Sequence, residues 1–99
     1  MAAWAKTLAG EVAANGVTVN TLLPGRIDTP RIERLDAARA AATGATPQDA
    51  RAESVKSIPA GRIGTTEEFG AVAAFLASPL AGYVTGSLIR IDGGAVRAI

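Results

Sequence analysis

Larger apolar residues recur every four positions from Ala2 to Ala14, at Trp4, Leu8 and Val12, with Ala5, Ala9 and Ala13 beside them. That continuous stripe predicts a helix. Asn15-Gly16 marks its end, because glycine tolerates the left-handed conformation that closes helices. Residues 17–23, Val-Thr-Val-Asn-Thr-Leu-Leu, are β-rich and mostly alternating. A strand entered directly from a helix is the order of an α/β unit with a parallel sheet, and Pro24-Gly25 closes that strand.

Further along, Thr29-Pro30 reads as an N-cap followed by proline at the first helical position, opening a helix with Ile32 and Leu35 that stops near Thr43-Gly44. Thr46-Pro47-Gln48-Asp49 repeats the signal with an acidic residue three after the cap, so a second short helix is expected to about Ser57, before Pro59 and Gly61. Neither helix is strongly amphipathic. A weakly held pair of this kind suits a lid over a site, or an ordinary surface connection. Thr65-Thr66-Glu67-Glu68 predicts another capping box, and Phe69, Val72, Ala73 and Leu76 mark the buried stripe of a firmer helix ending at Ser78-Pro79. The run Ser87-Leu88-Ile89-Arg90-Ile91 is a short strand, stopped by Asp92-Gly93-Gly94. Two strands and about four helices are therefore expected. Two parallel strands need more members and cover on both faces to be stable alone, so residues 1–99 read as a single, partial domain.

Composition sharpens that picture. Of the 48% apolar residues, 22 are alanines, leaving 26 larger side chains for a core. A chain of 99 residues buries only a little over ~60% of its unfolded surface, and alanine contributes little at ~0.8 kcal/mol per buried CH2. The net charge of +1 implies neither a nucleic-acid nor a membrane partner. Without cysteine or histidine there is no disulfide, thiolate nucleophile, usual zinc set or Ser-His-Asp relay. Residues 1–20 lack an uninterrupted apolar core, and no stretch approaches the ~18 residues that span a bilayer, which suggests a cytoplasmic protein.

The order of these elements, together with residues 20–29 (Asn-Thr-Leu-Leu-Pro-Gly-Arg-Ile-Asp-Thr), resembles the C-terminal part of a short-chain dehydrogenase/reductase. The resemblance continues through residues 59–68 (Pro-Ala-Gly-Arg-Ile-Gly-Thr-Thr-Glu-Glu), Phe75-Leu76-Ala77-Ser78, Tyr83-Val84-Thr85-Gly86 and Ile91-Asp92-Gly93-Gly94. It implies the C-terminal edge of a Rossmann-type doubly wound parallel sheet. It also implies NAD or NADP as cofactor, a carbonyl or alcohol substrate, and a cofactor edge formed by Pro24, Gly25, Ile27 and Thr29. There a backbone N–H and a threonine hydroxyl supply the donor and acceptor that a carboxamide needs. Taken alone, Pro-Gly is a turn and Thr29 a helix cap; the ordered set of segments favours the cofactor edge, and Thr29 can serve both roles.

By the same resemblance, residues from about 30 to 58 correspond to the family's variable substrate loop. Arg26, Arg31, Arg34 and Arg39 give it a basic edge that admits an anionic substrate; the blander reading is a solvated face partly balanced by Glu33 and Asp36. The family's Tyr-x-x-x-Lys pair is absent: the only tyrosine, Tyr83, is followed four residues later by Ser87. The resemblance places that pair just upstream of Met1. The glycine-rich pyrophosphate turn is absent as well. The expectation is a C-terminal oxidoreductase fragment with no catalytic residue of its own, inactive alone and not binding the dinucleotide tightly. The alternative is a non-catalytic module that associates with itself or with a complementing chain, through the residue 2–14 helix, the Tyr83 region and the last strand, which commonly form subunit interfaces in relatives.

Overall fold

Residues 2–97 are described by the computed structural model. Helix α1 (Ala2–Val12) runs into a 3-10 turn (Ala13–Asn15), closed by Gly16 at φ 76°, the left-handed cap that Asn-Gly predicts. Strand β1 (Thr21–Pro24) leads to α2 (Pro30–Thr43), α3 (Pro47–Val55) and α4 (Thr66–Leu76). A 3-10 turn (Pro79–Ala81) then precedes strand β2 (Leu88–Ile91). Four α-helices and two strands thus stand among the described residues, in the expected order.

The two strands form one sheet. Thr21 N–H donates to the Ser87 carbonyl and Gly25 N–H to that of Ile91, both at 2.9 Å. The offset in residue number is the same at both ends, which is the pattern of parallel pairing. Strand β1 starts later than the apolar pattern suggests. Ahead of it, side chains take over part of the ladder: Val19 N–H donates to the Thr85 hydroxyl at 3.0 Å, and the Asn20 side chain bridges the Val84 carbonyl and Ser87 N–H at 3.0 and 3.1 Å. Residues 17–20 are therefore tied to their neighbour without being a regular strand.

The chain divides into two compact units, one comprising residues up to Leu23 with Glu67–Arg90, the other Pro24–Thr66 with residues from Ile91 onward. In the first unit Ala5, Ala9 and Ala81 are buried, whereas Trp4 is 66% exposed. Leu8 and Val12 are only half-buried. The helix does turn one face inward, but alanine occupies its centre. Gly86 lies against this face at φ 70°, where a Cβ would meet the Lys6 side chain at 3.0 Å and touch the Ala9 methyl at 3.5 Å. On α4, Phe69, Val72, Ala73 and Leu76 face inward as expected but remain half-buried. Two strands of four residues each offer too little surface to cover that stripe.

The second unit has the better core: Ile27, Ile32, Ala40, Ala50, Ile58 and Ile63 are buried. Helix α2 buries Ile32, Asp36 and Ala40 at four-residue spacing, and α3 buries Ala50 and Ser54. Both arms of the capping box at α3 form: the Thr46 hydroxyl accepts from Asp49 N–H at 3.2 Å, and Asp49 accepts from Thr46 N–H at 3.4 Å. The Arg39 guanidinium donates to the Ser54 hydroxyl at 3.1 Å, so the pair of helices is joined by a side-chain bond as well as by packing. After β2, Asp92 accepts the N–H groups of Gly94 and Val96. Gly25 meets this turn closely: a Cβ on Gly25 would lie 2.7 Å from Cα and Cβ of Asp92.

That contact separates two glycines. Gly25→Ala forces backbone apart and is expected to lower stability by about 1–3 kcal/mol in urea unfolding. Gly10→Ala, on the exposed side of α1 with nothing within 4 Å of the new methyl, is expected to raise it by about 0.5–1 kcal/mol. Equal effects of the two substitutions contradict the close approach.

Candidate functional site

The site is built on the chain leaving β1. Beyond Pro24 and Gly25, Ile27 makes an isolated parallel bridge with Gly64. Its two hydrogen bonds run from Gly64 N–H to the Arg26 carbonyl, at 3.0 Å, and from Asp28 N–H to the Gly64 carbonyl, at 2.8 Å. In a parallel bridge the central residue turns its own N–H and C=O away from the partner. Ile27 is 9% exposed, yet its backbone donor and acceptor bond to no other described residue. Both groups are left free by the bridge, and Ile27 lines the cleft described below.

Two residues on, Thr29 caps α2 with φ −134° and ψ 165°, and Pro30 takes the first helical position. Glu33 N–H donates to the Thr29 carbonyl at 3.2 Å, the first ordinary bond of the helix, and the Thr29 hydroxyl makes no cap bond. A threonine at this position normally spends its hydroxyl on the helix. Here it stays uncommitted, beside the open backbone groups of Ile27.

Pro24, Gly25, Ile27 and Thr29 line one cleft of about 360 Å³, together with Arg31, Ile32 and Leu35 from the first turns of α2. The four residues singled out in the sequence are thus brought together. Ile32 and Leu35 were legible only as helix positions; their part in the cleft comes from the direction in which α2 leaves Thr29. The glycine at position 25 has a packing reason of its own, the close approach of Asp92, independent of any ligand. In a cleft of this size, an apolar wall with a free hydroxyl and an open backbone donor and acceptor fits a flat carboxamide-bearing ring.

The basic edge is not a uniformly solvated face. Asp36 is 4% exposed and accepts from the Arg26 guanidinium at 2.6 Å. This pair locks the segment after Gly25 onto α2. Arg26 Nε is buried without a partner, so the pair is not fully satisfied. By contrast the Arg51–Asp28 pair, at 3.3 Å, has both side chains more than a third exposed, and such pairs are worth ~0–1 kcal/mol. Burial hides Asp36 from a sequence reading: at four residues from Ile32 and Ala40 it occupies a core position of the helix.

No group of three or more His, Cys, Asp or Glu among the described residues is placed to hold a metal ion, and no described helix is long and apolar enough to cross a membrane.

Known proteins give a consistent match. The family described as enoyl-(acyl carrier protein) reductase matches residues 1–96. The short-chain reductase protein NovJ of Streptomyces niveus is 40% identical over 94 residues, covering 95% of this chain and 34% of NovJ. The 3-oxoacyl-[acyl-carrier-protein] reductase FabG of Vibrio harveyi is 40% identical over 89 residues, covering 90% of this chain and 32% of that protein. Among solved structures, YwfH, an NADPH-dependent reductase involved in bacilysin biosynthesis, superposes with a TM-score of 0.91 at 36% identity, covering 99% of this chain and 37% of YwfH. The chain spans about a third of the length of the curated relatives it matches.

The difference between the two ion pairs is measurable. Asp36→Asn leaves the half-buried Arg26 beside a neutral amide and is expected to cost about 1–3 kcal/mol, whereas Asp28→Asn changes stability by less than about 1 kcal/mol. Replacing both partners, as Arg26→Met with Asp36→Leu, recovers most of the loss in urea unfolding. A double variant no better than Asp36→Asn alone contradicts this account.

Proposed function

The chain belongs to the short-chain dehydrogenase/reductase family, with the Rossmann-type fold of that family, and from that premise we propose that residues 24–35 form the nicotinamide-side wall of an NAD(P)-dependent oxidoreductase. When bound, the nicotinamide supplies or accepts the hydride exchanged with a carbonyl or alcohol substrate. The observation that carries this reading is the uncommitted trio on one cleft: Ile27 N–H, Ile27 C=O and the Thr29 hydroxyl. Ile27 and Thr29 hold the carboxamide through these groups, which fixes the ring orientation. Pro24 and Gly25 form the wall beside it, and Ile32 and Leu35 keep water from that side of the cleft. The Arg26–Asp36 pair holds the segment in register with α2.

The proton-transfer groups are not among these 99 residues: neither Lys6 nor Lys56 follows a tyrosine by four positions. The chain's share of the activity is therefore binding and orientation, and the chain by itself does not turn over. Relatives described as reductases of acyl-carrier-protein substrates or as NADPH-dependent support the reaction class and the nicotinamide cofactor.

A second reading, association with another copy or a complementing chain, is favoured by apolar exposure in the first unit. Trp4 is 66% exposed, Leu80 86%, and Tyr83 stands fully in solvent. Contiguous exposed apolar patches mark protein-binding surfaces, and these side chains are the candidates for one. Light scattering coupled to size exclusion is expected to find a species larger than one 99-residue chain; a compact monomer removes this reading.

For the cofactor wall, titration of NADH into the isotope-labelled chain is expected to move the amide resonances of Gly25, Ile27 and Thr29 with a weak dissociation constant, on the order of 1 mM or about −4 kcal/mol. No oxidation of NADH should accompany it when a ketone is added. Thr29→Val, which deletes the hydroxyl at nearly constant volume, should weaken binding about fivefold or more. Shifts scattered over the surface, or a Thr29→Val chain that binds as well as the parent, overturn the assignment.

A further inference from the structure

Most arginines of the second unit are committed. Arg26 is held by Asp36, Arg39 by Ser54 and Arg51 by Asp28. Arg31 is different: it lines the cleft with Thr29, Ile32 and Leu35 and forms no ion pair or hydrogen bond with another described residue. The acids near it in sequence are not available to neutralise it. Asp36 is taken by Arg26 at 2.6 Å, and Glu33 lines a separate groove with Pro47, Gln48 and Arg51. The cleft therefore combines an apolar wall from Ile27, Ile32 and Leu35 with one uncompensated guanidinium.

From this placement we propose that Arg31 receives the anionic group of the substrate, so that the carbonyl or alcohol compound taken by this site carries a carboxylate or phosphate on a short apolar body. The proposal rests on the cofactor wall described above. A guanidinium offers two parallel N–H groups in a fixed fork that matches a carboxylate or phosphate. Ile27, Ile32 and Leu35 suit the carbon chain between that anion and the reacting carbon. Arg34, three residues further on the same helix, does not line the cleft and serves as the matched control for surface charge.

The experiment is a titration of the isotope-labelled 99-residue chain, followed by amide and arginine Nε–H resonances, with three probes: 3-oxobutanoate, uncharged butanone and inorganic pyrophosphate. The expected result is saturable movement of Thr29–Leu35 and of the Arg31 side chain by 3-oxobutanoate, and none by butanone. Arg31→Gln should weaken 3-oxobutanoate about tenfold, the contribution of one charge-assisted contact, with Arg34→Gln unchanged. Arg31 is exposed, so the variant's spectrum should otherwise overlay that of the parent. Equal weakening by Arg31→Gln and Arg34→Gln reduces the effect to diffuse charge and overturns the proposal. Pyrophosphate binding through Arg31 more tightly than 3-oxobutanoate assigns the guanidinium to the cofactor's diphosphate instead, and also overturns it. NADH run in parallel separates the two levels: shifts at Gly25–Thr29 without an Arg31-dependent response to 3-oxobutanoate sink only this proposal, and the reverse outcome sinks only the cofactor wall.

Discussion

In the parallel bridge between Ile27 and Gly64, Gly64 gives both its N–H and its C=O to the facing chain, while Ile27 gives neither. At Ile27 the bridge to Gly64 is made by the flanking Arg26 carbonyl and Asp28 N–H, which leaves the N–H and C=O of Ile27 itself directed elsewhere. The rest of the cleft follows from that geometry. The chain has two residues in which to leave the bridge and begin α2, so Thr29 falls at the cap. The Thr29 carbonyl accepts the first ordinary helical bond from Glu33 N–H, and the threonine hydroxyl makes no cap bond. A strand end, a bridge and a helix start thus place a donor, two acceptors and an apolar wall within a few residues of one another.

The forces that hold this arrangement differ in scale. Exposed ion pairs such as Lys56–Glu53 and Arg51–Asp28 contribute little. Arg26–Asp36 is withdrawn from water, with the carboxylate side chain only 6% exposed, so its importance lies less in net stabilisation than in the penalty for breaking it. The isoleucines at 27, 32, 58 and 63 are the larger apolar contribution, at ~1.5–3 kcal/mol for each side chain fully removed from water. The first unit has no equivalent set. Its buried positions are alanines, and its large apolar side chains stand half-buried or exposed. The chain therefore carries its best-formed core directly beneath its candidate site.

Charge within the second unit is sorted by the same packing. Four arginines that look alike as a basic edge separate into one half-buried and paired with a buried carboxylate, one bonded to a serine, one exposed without a role in the cleft and one lining it. What distinguishes Arg31 is the removal of its competitors: the carboxylate of Asp36 turns inward, and that of Glu33 lies on another groove. An exposed cation without an ion-pair partner in that position contributes little to stability.

The sequence by itself determined the order of elements and most of their ends, because those signals are local. Asn15-Gly16, Thr29-Pro30, the Thr46–Asp49 capping box and Asp92-Gly93-Gly94 each act over a few residues, and each stands where the pattern puts it. Pro24, Gly25, Ile27 and Thr29 were legible as part of an ordered motif shared with a family, though not as the lining of a cavity. Tertiary structure alone decided which side of each helix is buried, and how deeply. On α1, Ala5 and Ala9 are buried while Trp4 stays exposed and Leu8 half-buried. Asp36, which reads in the sequence as part of a solvated face, is a core residue with Arg26, ten positions earlier, brought beside it. Strand β1 begins at Thr21 because the Asn20 and Thr85 side chains, sixty-odd residues apart, replace its first rungs. These outcomes depend on atoms distant along the chain, and no periodicity within a single element encodes which distant residue will meet it.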